Sequence, residues 1–143
     1  MIIKEKPSII NKGHNHCCIC GELNPRSLGL SFKELKPGFV SAKFSAFKEL
    51  QGYEGMLHGG VISSLLDAAM THCLFAAGIK AVTGDLHVRF LAPVPHEAEL
   101  DLLAYMSSSL SPLFYLKSEI RVENKLVAKA EGKFMLSKVI SEC

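Results

Sequence analysis

The 143-residue sequence lacks an uninterrupted apolar run long enough to span a bilayer. Its most apolar window, Val61 to Ile79, contains Asp67 and His72 together with Ser63, Ser64 and Thr71, which argues against a membrane span. It also lacks a strong charge of either sign. The formal net charge is +2, and no Lys/Arg cluster interleaves with aromatic residues. Neither a nucleic-acid partner nor an anionic membrane surface is expected from that balance. The first residues, Met1-Ile2-Ile3-Lys4-Glu5-Lys6-Pro7, place Lys and Glu ahead of any apolar core, so no secretory leader is expected there. There is no internal repeat, no low-complexity tract and no linker. There is no second Cys pair either. The 5 Cys form an odd set, with Cys17, Cys18 and Cys20 crowded together. Without a secretory signal, the expectation is reduced thiols in a cytoplasm. Cys17-x-x-Cys20 supplies two ligands where a structural zinc site needs four. His14 and His16 can complete such a set, but the expectation is thiols without a metal.

What is present is a chain long enough for one domain with a real core, 48% hydrophobic and 21% charged. Residues 1–26 hold Pro7, Gly13, Gly21 and Pro25 without clear periodicity, and read as loop or a short helix. Alternation begins at Ser27. Leu28, Leu30 and Phe32 fall on one face, and Val40, Ala42 and Phe44 follow after a Pro37-Gly38 turn signal, which predicts a strand hairpin.

A single long helical pattern follows. Val61, Ile62, Leu65, Leu66, Ala69, Met70, Cys73 and Leu74 recur at helical spacing and cover most of a helix circumference. Gly78 is placed to stop it. Four more strands are expected. Val82, Gly84, Leu86, Val88 and Phe90 alternate with Thr83, Asp85, His87 and Arg89. Ala98, Leu100, Leu102 and Ala104 form the next apolar face, ending in a Ser-rich turn. Phe114, Leu116, Ile120 and Val122, then Leu126, Ala128, Ala130, Phe134 and Leu136, form the last two around a Glu123-Asn124-Lys125 turn. The order is two strands, one helix, four strands: an antiparallel sheet wrapped round a single helix. One helix covers only one side of such a sheet, so dimerisation is expected.

Chemistry concentrates on the helix. Its first free N–H groups, at Gly59 and Gly60, favour developing negative charge, and glycine lets a ligand approach the backbone. Asp67 is a poor mid-helix residue: its polar stripe is either a solvated face or, as is favoured on so apolar a helix, lines a cleft or an interface where a carboxylate acts as base or nucleophile. Ser63, Ser64, Asp67 and Thr71 share one narrow polar stripe. His58 either packs at the helix entrance or binds substrate; no Cys or Ser nucleophile pairs with it. Arg89, Lys117 and Arg121 lie on mixed strand faces, where they either meet phosphates or are solvated.

The segment Leu57-His58-Gly59-Gly60…Leu66-Asp67, with Thr83-Gly84-Asp85-Leu86…Arg89-Phe90…Pro93-Val94, resembles the hotdog-fold acyl-CoA thioesterases of the PaaI-like, phenylacetate-pathway type. The opening Cys17-x-x-Cys20-Gly21…Asn24-Pro25…Leu28-Gly29-Leu30 is similar to one branch of that family. The resemblance implies an α+β hotdog fold, a six-stranded antiparallel sheet around one central helix, over residues 27–143 behind a 1–26 segment. It implies hydrolysis of an acyl-CoA, with no metal or redox cofactor, in a site shared by two protomers of a homodimer or a dimer of dimers (homotetramer). The runner-up is a non-catalytic acyl-CoA or small-ligand binding protein on the same fold. A hotdog dehydratase would want a His paired with the acid, and none is evident. By position, Gly59 supplies the polarising amide and Asp67 the carboxylate that activates water or attacks. Thr83 stands where the family often has a positioning hydroxyl, and His58, Gly60 and Arg89 are the candidate substrate-binding residues. Where some members have an Asn about six residues before the His, this chain has Gly52. Two helical turns put about 11 Å between Gly59 and Asp67, so one chain cannot bring both to one carbonyl.

Overall fold

The computed structural model describes residues 13–137. Its elements run β1 (Lys33–Lys36), β2 (Phe39–Ser45), a 3-10 turn (Lys48–Leu50), α1 (Gly59–Ala76), β3 (Ala81–Phe90), β4 (Glu99–Leu110), β5 (Leu113–Val122) and β6 (Lys125–Leu136). The six strands form one antiparallel sheet in the order β1-β2-β4-β5-β6-β3. This is the expected hotdog architecture, with α1 packed against β2, β3, β4, β5 and β6.

The helix is buried on almost every side from Ala68 to Leu74, as a helix apolar all round must be. It is the one described helix long and apolar enough to cross a membrane, and more than half of it is buried inside this fold. Leu65, Leu66, Met70 and Leu74 meet Leu100, Leu102, Leu116, Ile120 and Phe134 from the sheet, all fully buried. Gly132 marks a close approach of helix to sheet: a Cβ there would stand 2.7 Å from the Phe134 ring and 3.0 Å from the Met70 sulfur. The Ser118 hydroxyl of β5 donates to the Leu66 carbonyl at 3.0 Å, tying helix to sheet. Gly78 ends the helix as expected. Its φ is +75°, its N–H bonds to the Phe75 carbonyl and that of Ile79 to the Leu74 carbonyl, satisfying two end carbonyls.

Three local expectations are corrected. The alternation from Ser27 correctly marks Leu30 and Phe32 as buried, but no strand begins there. Leu28 and Leu30 give their N–H groups to Cys18 and Ile19 carbonyls of the preceding loop, so the ladder starts only at Lys33. The Ser-rich stretch is not a turn. Ser107, Ser108 and Ser109 continue β4 past an irregularity between Met106 and Ser108, and the chain reverses at Ser111-Pro112.

The third correction bears on the site. In β3 the two-residue alternation does not run unbroken from Val82 to Phe90. Thr83 pairs with Phe134 and Asp85 with Lys133, which leaves Gly84 as a bulge. Before the bulge Ala81 is buried and Val82 is 42% exposed. After it Leu86 and Val88 pack on the core, while His87 and Arg89 face out. The bulge therefore turns Thr83, not Val82, toward the helix.

Candidate functional site

Residues 13–26 form tight turns; the rest of the expected 1–26 segment lies outside the described residues. The first part of the site is the N-terminus of α1. His58 is its N-cap, with extended backbone at φ −63° and ψ 135°. Its Nδ1 accepts the Gly60 N–H at 2.8 Å, and its carbonyl accepts from Val61 and Ile62 at 3.0 and 3.1 Å. His58 thereby satisfies the Gly60 and Val61 orphan donors and accepts the first regular helical bond, from Ile62. Among the described residues nothing accepts the Gly59 N–H, so one donor and the positive end of the helix dipole stay open. His58 thus takes a capping place, and Gly60, expected to offer its amide to a ligand, gives it to His58 instead. A side chain at 60 would crowd that cap: a Cβ there would sit 3.0 Å from His58 Nδ1.

The Gly59 end opens into a cavity of about 810 Å³. Met56, Ile62, Phe90, Leu91 and Val94 give it an apolar lining, and Tyr53 stands at 86% exposure on its rim. The Phe90 ring is what a Cβ at Gly59 would touch, at 3.5 Å. Tyr53, Met56 and Leu91 were not singled out from the sequence; they come from loops with no periodicity to mark them. Gly52 lines the same cavity, and the space beside it is taken by His58, with Cδ2 3.3 Å from where a Cβ would stand.

The second part is Asp67, two turns along α1. Its Oδ1 accepts the Thr83 hydroxyl at 2.7 Å, while no described group bonds its second oxygen. Burial pushes its carboxyl above the ordinary range; the Thr83 bond and the nearby His14 pull the other way. Asp67 and Thr83 are thus brought together as one unit. The rest of the polar stripe is not directed into a cleft. Ser63, Ser64 and Thr71 return their hydroxyls to the carbonyls of Gly59, Gly60 and Asp67, four residues back.

Asp67 does not line the Gly59 cavity. Eight residues of helix separate them, about 12 Å at 1.5 Å per residue. Arg89 joins neither part; it lines a shallow hollow on the outer face with His87, Lys129 and Glu131. Lys117 and Arg121 stand beside Glu131 and Glu119 at 3.8 and 3.1 Å, as solvent-facing pairs. One grouping of metal-ligand side chains occurs among the described residues, His14 with Cys17 and Cys20.

Compared with known proteins, residues 54–130 match the family model described as the thioesterase superfamily. An acyl-coenzyme A thioesterase of Bos taurus is 32% identical over 92 residues, 60% of this chain and 36% of that protein. The chain spans less than half the length of the curated relatives it matches. The Escherichia coli PaaI protein from the phenylacetic acid degradation operon superimposes with a TM-score of 0.75 at 22% identity, covering 86% of this chain and 90% of that one. A Streptococcus mutans protein solved bound to acetyl-CoA superimposes at 0.71 and 18% identity, covering 76% and 88%. At these identities the two structures establish a shared fold.

Proposed function

The chain belongs to the thioesterase superfamily, and on that premise we propose that it hydrolyses an acyl-CoA to the free acid and coenzyme A. The observation that carries this is the open Gly59 N–H at the mouth of an apolar cavity. A helix-end donor beside an apolar groove suits a thioester: the acyl group lies in the groove and the carbonyl oxygen meets the N–H. Acetyl-CoA in the Streptococcus mutans neighbour and the thioesterase activity named for the bovine relative support the substrate class.

The carboxylate comes from a second chain in this reading, because Asp67 and Gly59 of one chain are too far apart. β3 lies at the sheet edge, its outer side unpaired within the described chain. Pairing with a second β3 would extend the sheet and lay the two helices side by side, antiparallel. Each Asp67 then approaches the partner's helix N-terminus.

The chemistry is a water attack. Asp67 takes a proton from water held beside Thr83, and the water oxygen bonds to the carbonyl carbon. The carbonyl electron pair moves onto oxygen, facing the Gly59 N–H. When that pair returns, the carbon–sulfur bond breaks and the departing thiolate takes the proton from Asp67. Acyl-CoA and water become acid and free thiol, with Asp67 regenerated as carboxylate. His58 holds the helix end in place, and no resident cofactor takes part in this scheme.

The test is thiol release from a panel of aliphatic and aryl acyl-CoAs, with wild type and Asp67→Asn side by side. Turnover by the wild type, lowered about 10²- to 10⁴-fold in Asp67→Asn, is the expected result. Saturable acyl-CoA binding with no wild-type turnover on any thioester would establish the binding-protein reading instead, with Gly52 as the point of departure.

A further inference from the structure

Cys17-Cys18-Ile19-Cys20-Gly21 folds as a tight knuckle. The Ile19 N–H points at Cys17 Sγ, 3.4 Å away, and the Gly21 N–H bonds to the Cys17 carbonyl at 2.8 Å. Gly21 is required by crowding: a Cβ would stand 2.6 Å from the Asn15 carbonyl oxygen. The knuckle brings the two sulfurs to one side, and His14 closes on them. One ligand atom from each of His14, Cys17 and Cys20 lies within 4.8 Å of the others. Cys20 Sγ and His14 Nδ1 are 3.6 Å apart. Two ligands at zinc–sulfur and zinc–nitrogen lengths, subtending a tetrahedral angle, are separated by about 3.6 Å.

We infer that His14 Nδ1, Cys17 Sγ and Cys20 Sγ bind one zinc-class divalent cation, with water in the fourth position. Two thiolates and an imidazole are a soft donor set that selects zinc over magnesium or calcium. The Ile19 amide gives Cys17 the outer-shell donor that thiolate ligands commonly have. Water enters from the open hollow bordered by Gly13, Asn15 and His16. The sequence alone pointed to thiols without a metal because no second Cys pair follows. The third ligand is instead a His that the turn folds back.

The site acts as a clamp. The His14 ring packs edge-on against Phe75 of α1 at 4.9 Å. Cys18 and Ile19 hold the segment leading to β1 through the Leu28 and Leu30 N–H groups. A metal here fixes the opening of the described chain against the last turns of the central helix.

The experiment uses the full chain, stripped with a chelator under reductant and titrated with cobalt(II). Wild type is expected to develop thiolate-to-cobalt charge-transfer absorption that saturates at one cobalt per chain and is displaced by zinc. Cys18→Ser, an exposed neighbour, is expected to keep the signal. Cys17→Ser and His14→Ala should lose it while retaining the wild-type circular dichroism spectrum. Thiol labelling of wild type should slow severalfold when zinc is added. No charge-transfer band in folded, reduced wild type overturns the inference. So does a band lost in Cys18→Ser but kept in Cys17→Ser.

Discussion

The Thr83 hydroxyl donates to Asp67 Oδ1 across 2.7 Å, from an edge strand to the central helix. The bond exists because β3 bulges at Gly84, which turns Thr83 inward. It holds one carboxylate oxygen and leaves the other to the proposed water.

Thr83→Val is expected to reduce kcat/KM about tenfold at neutral pH, a loss of about 1.4 kcal/mol of transition-state stabilisation. The stronger check is the pH profile. Burial already raises the Asp67 carboxyl, and the Thr83 bond opposes that rise. The acid limb of wild type should therefore lie above the ordinary carboxylate range, and in Thr83→Val it should move higher still. An acid limb that stays in place would remove Thr83 from the mechanism.

His58→Ala removes the side-chain cap from the Gly60 N–H. The expected cost is about 1 kcal/mol, read as a lower urea midpoint at unchanged slope. Gly60→Ala should cost a similar amount by a different route, since its Cβ presses on the His58 ring at 3.0 Å. In the double variant the second loss should be smaller than in isolation, because the ring that the new Cβ touches is gone.

His72 is 2% exposed, stacked on Phe32 at 4.7 Å, with neither ring nitrogen hydrogen-bonded to a described group. Burial, aided by His14, lowers its pKa from 6.5 to about 4. Between those values the unfolded chain binds more protons than the folded one. Stability therefore falls as pH drops from about 6.5 through 4, by about 3 kcal/mol in all. His72→Phe should be more stable than wild type at neutral pH and should lose this share of the acid dependence. Urea midpoints measured from pH 7 down to pH 4 decide it.

Gly132→Ala tests a close helix–sheet contact. Its Cβ meets the Phe134 ring at 2.7 Å and the Met70 sulfur at 3.0 Å. Overpacking of this kind costs about 1–3 kcal/mol. Met70→Ala, itself costly in the core, should lose less in this background than alone, since the flexible thioether is one of the two groups displaced.

Periodicity, caps and turn chemistry are local, and those features were legible. The apolar spacing from Val61 to Leu74 made one buried helix inevitable, and Gly78 stopped it. Glu123 and Asn124 turn β5 into β6 with φ of 49° and 67°, the paired positive angles of a tight hairpin. His58, Gly59 and Asp67 could be named because the helix fixes their relative positions. The tertiary structure decided what the strands do relative to one another. It set β3 beside β6 at the edge, far from its chain neighbour β4, and placed the bulge at Gly84. A bulge shifts the side-chain phase by one residue, and the alternation of apolar residues in β3 looks unbroken without its partner strand. That is why the sequence groups Thr83 with the mixed face of Asp85, His87 and Arg89, and Val82 with the apolar one. The sequence names His14, Cys17 and Cys20 among possible ligands, but only the folded turn shows that these three come within reach of one another. Local chemistry fixes an element and its ends; register and turn closure depend on contacts between distant residues, and only the folded chain contains them.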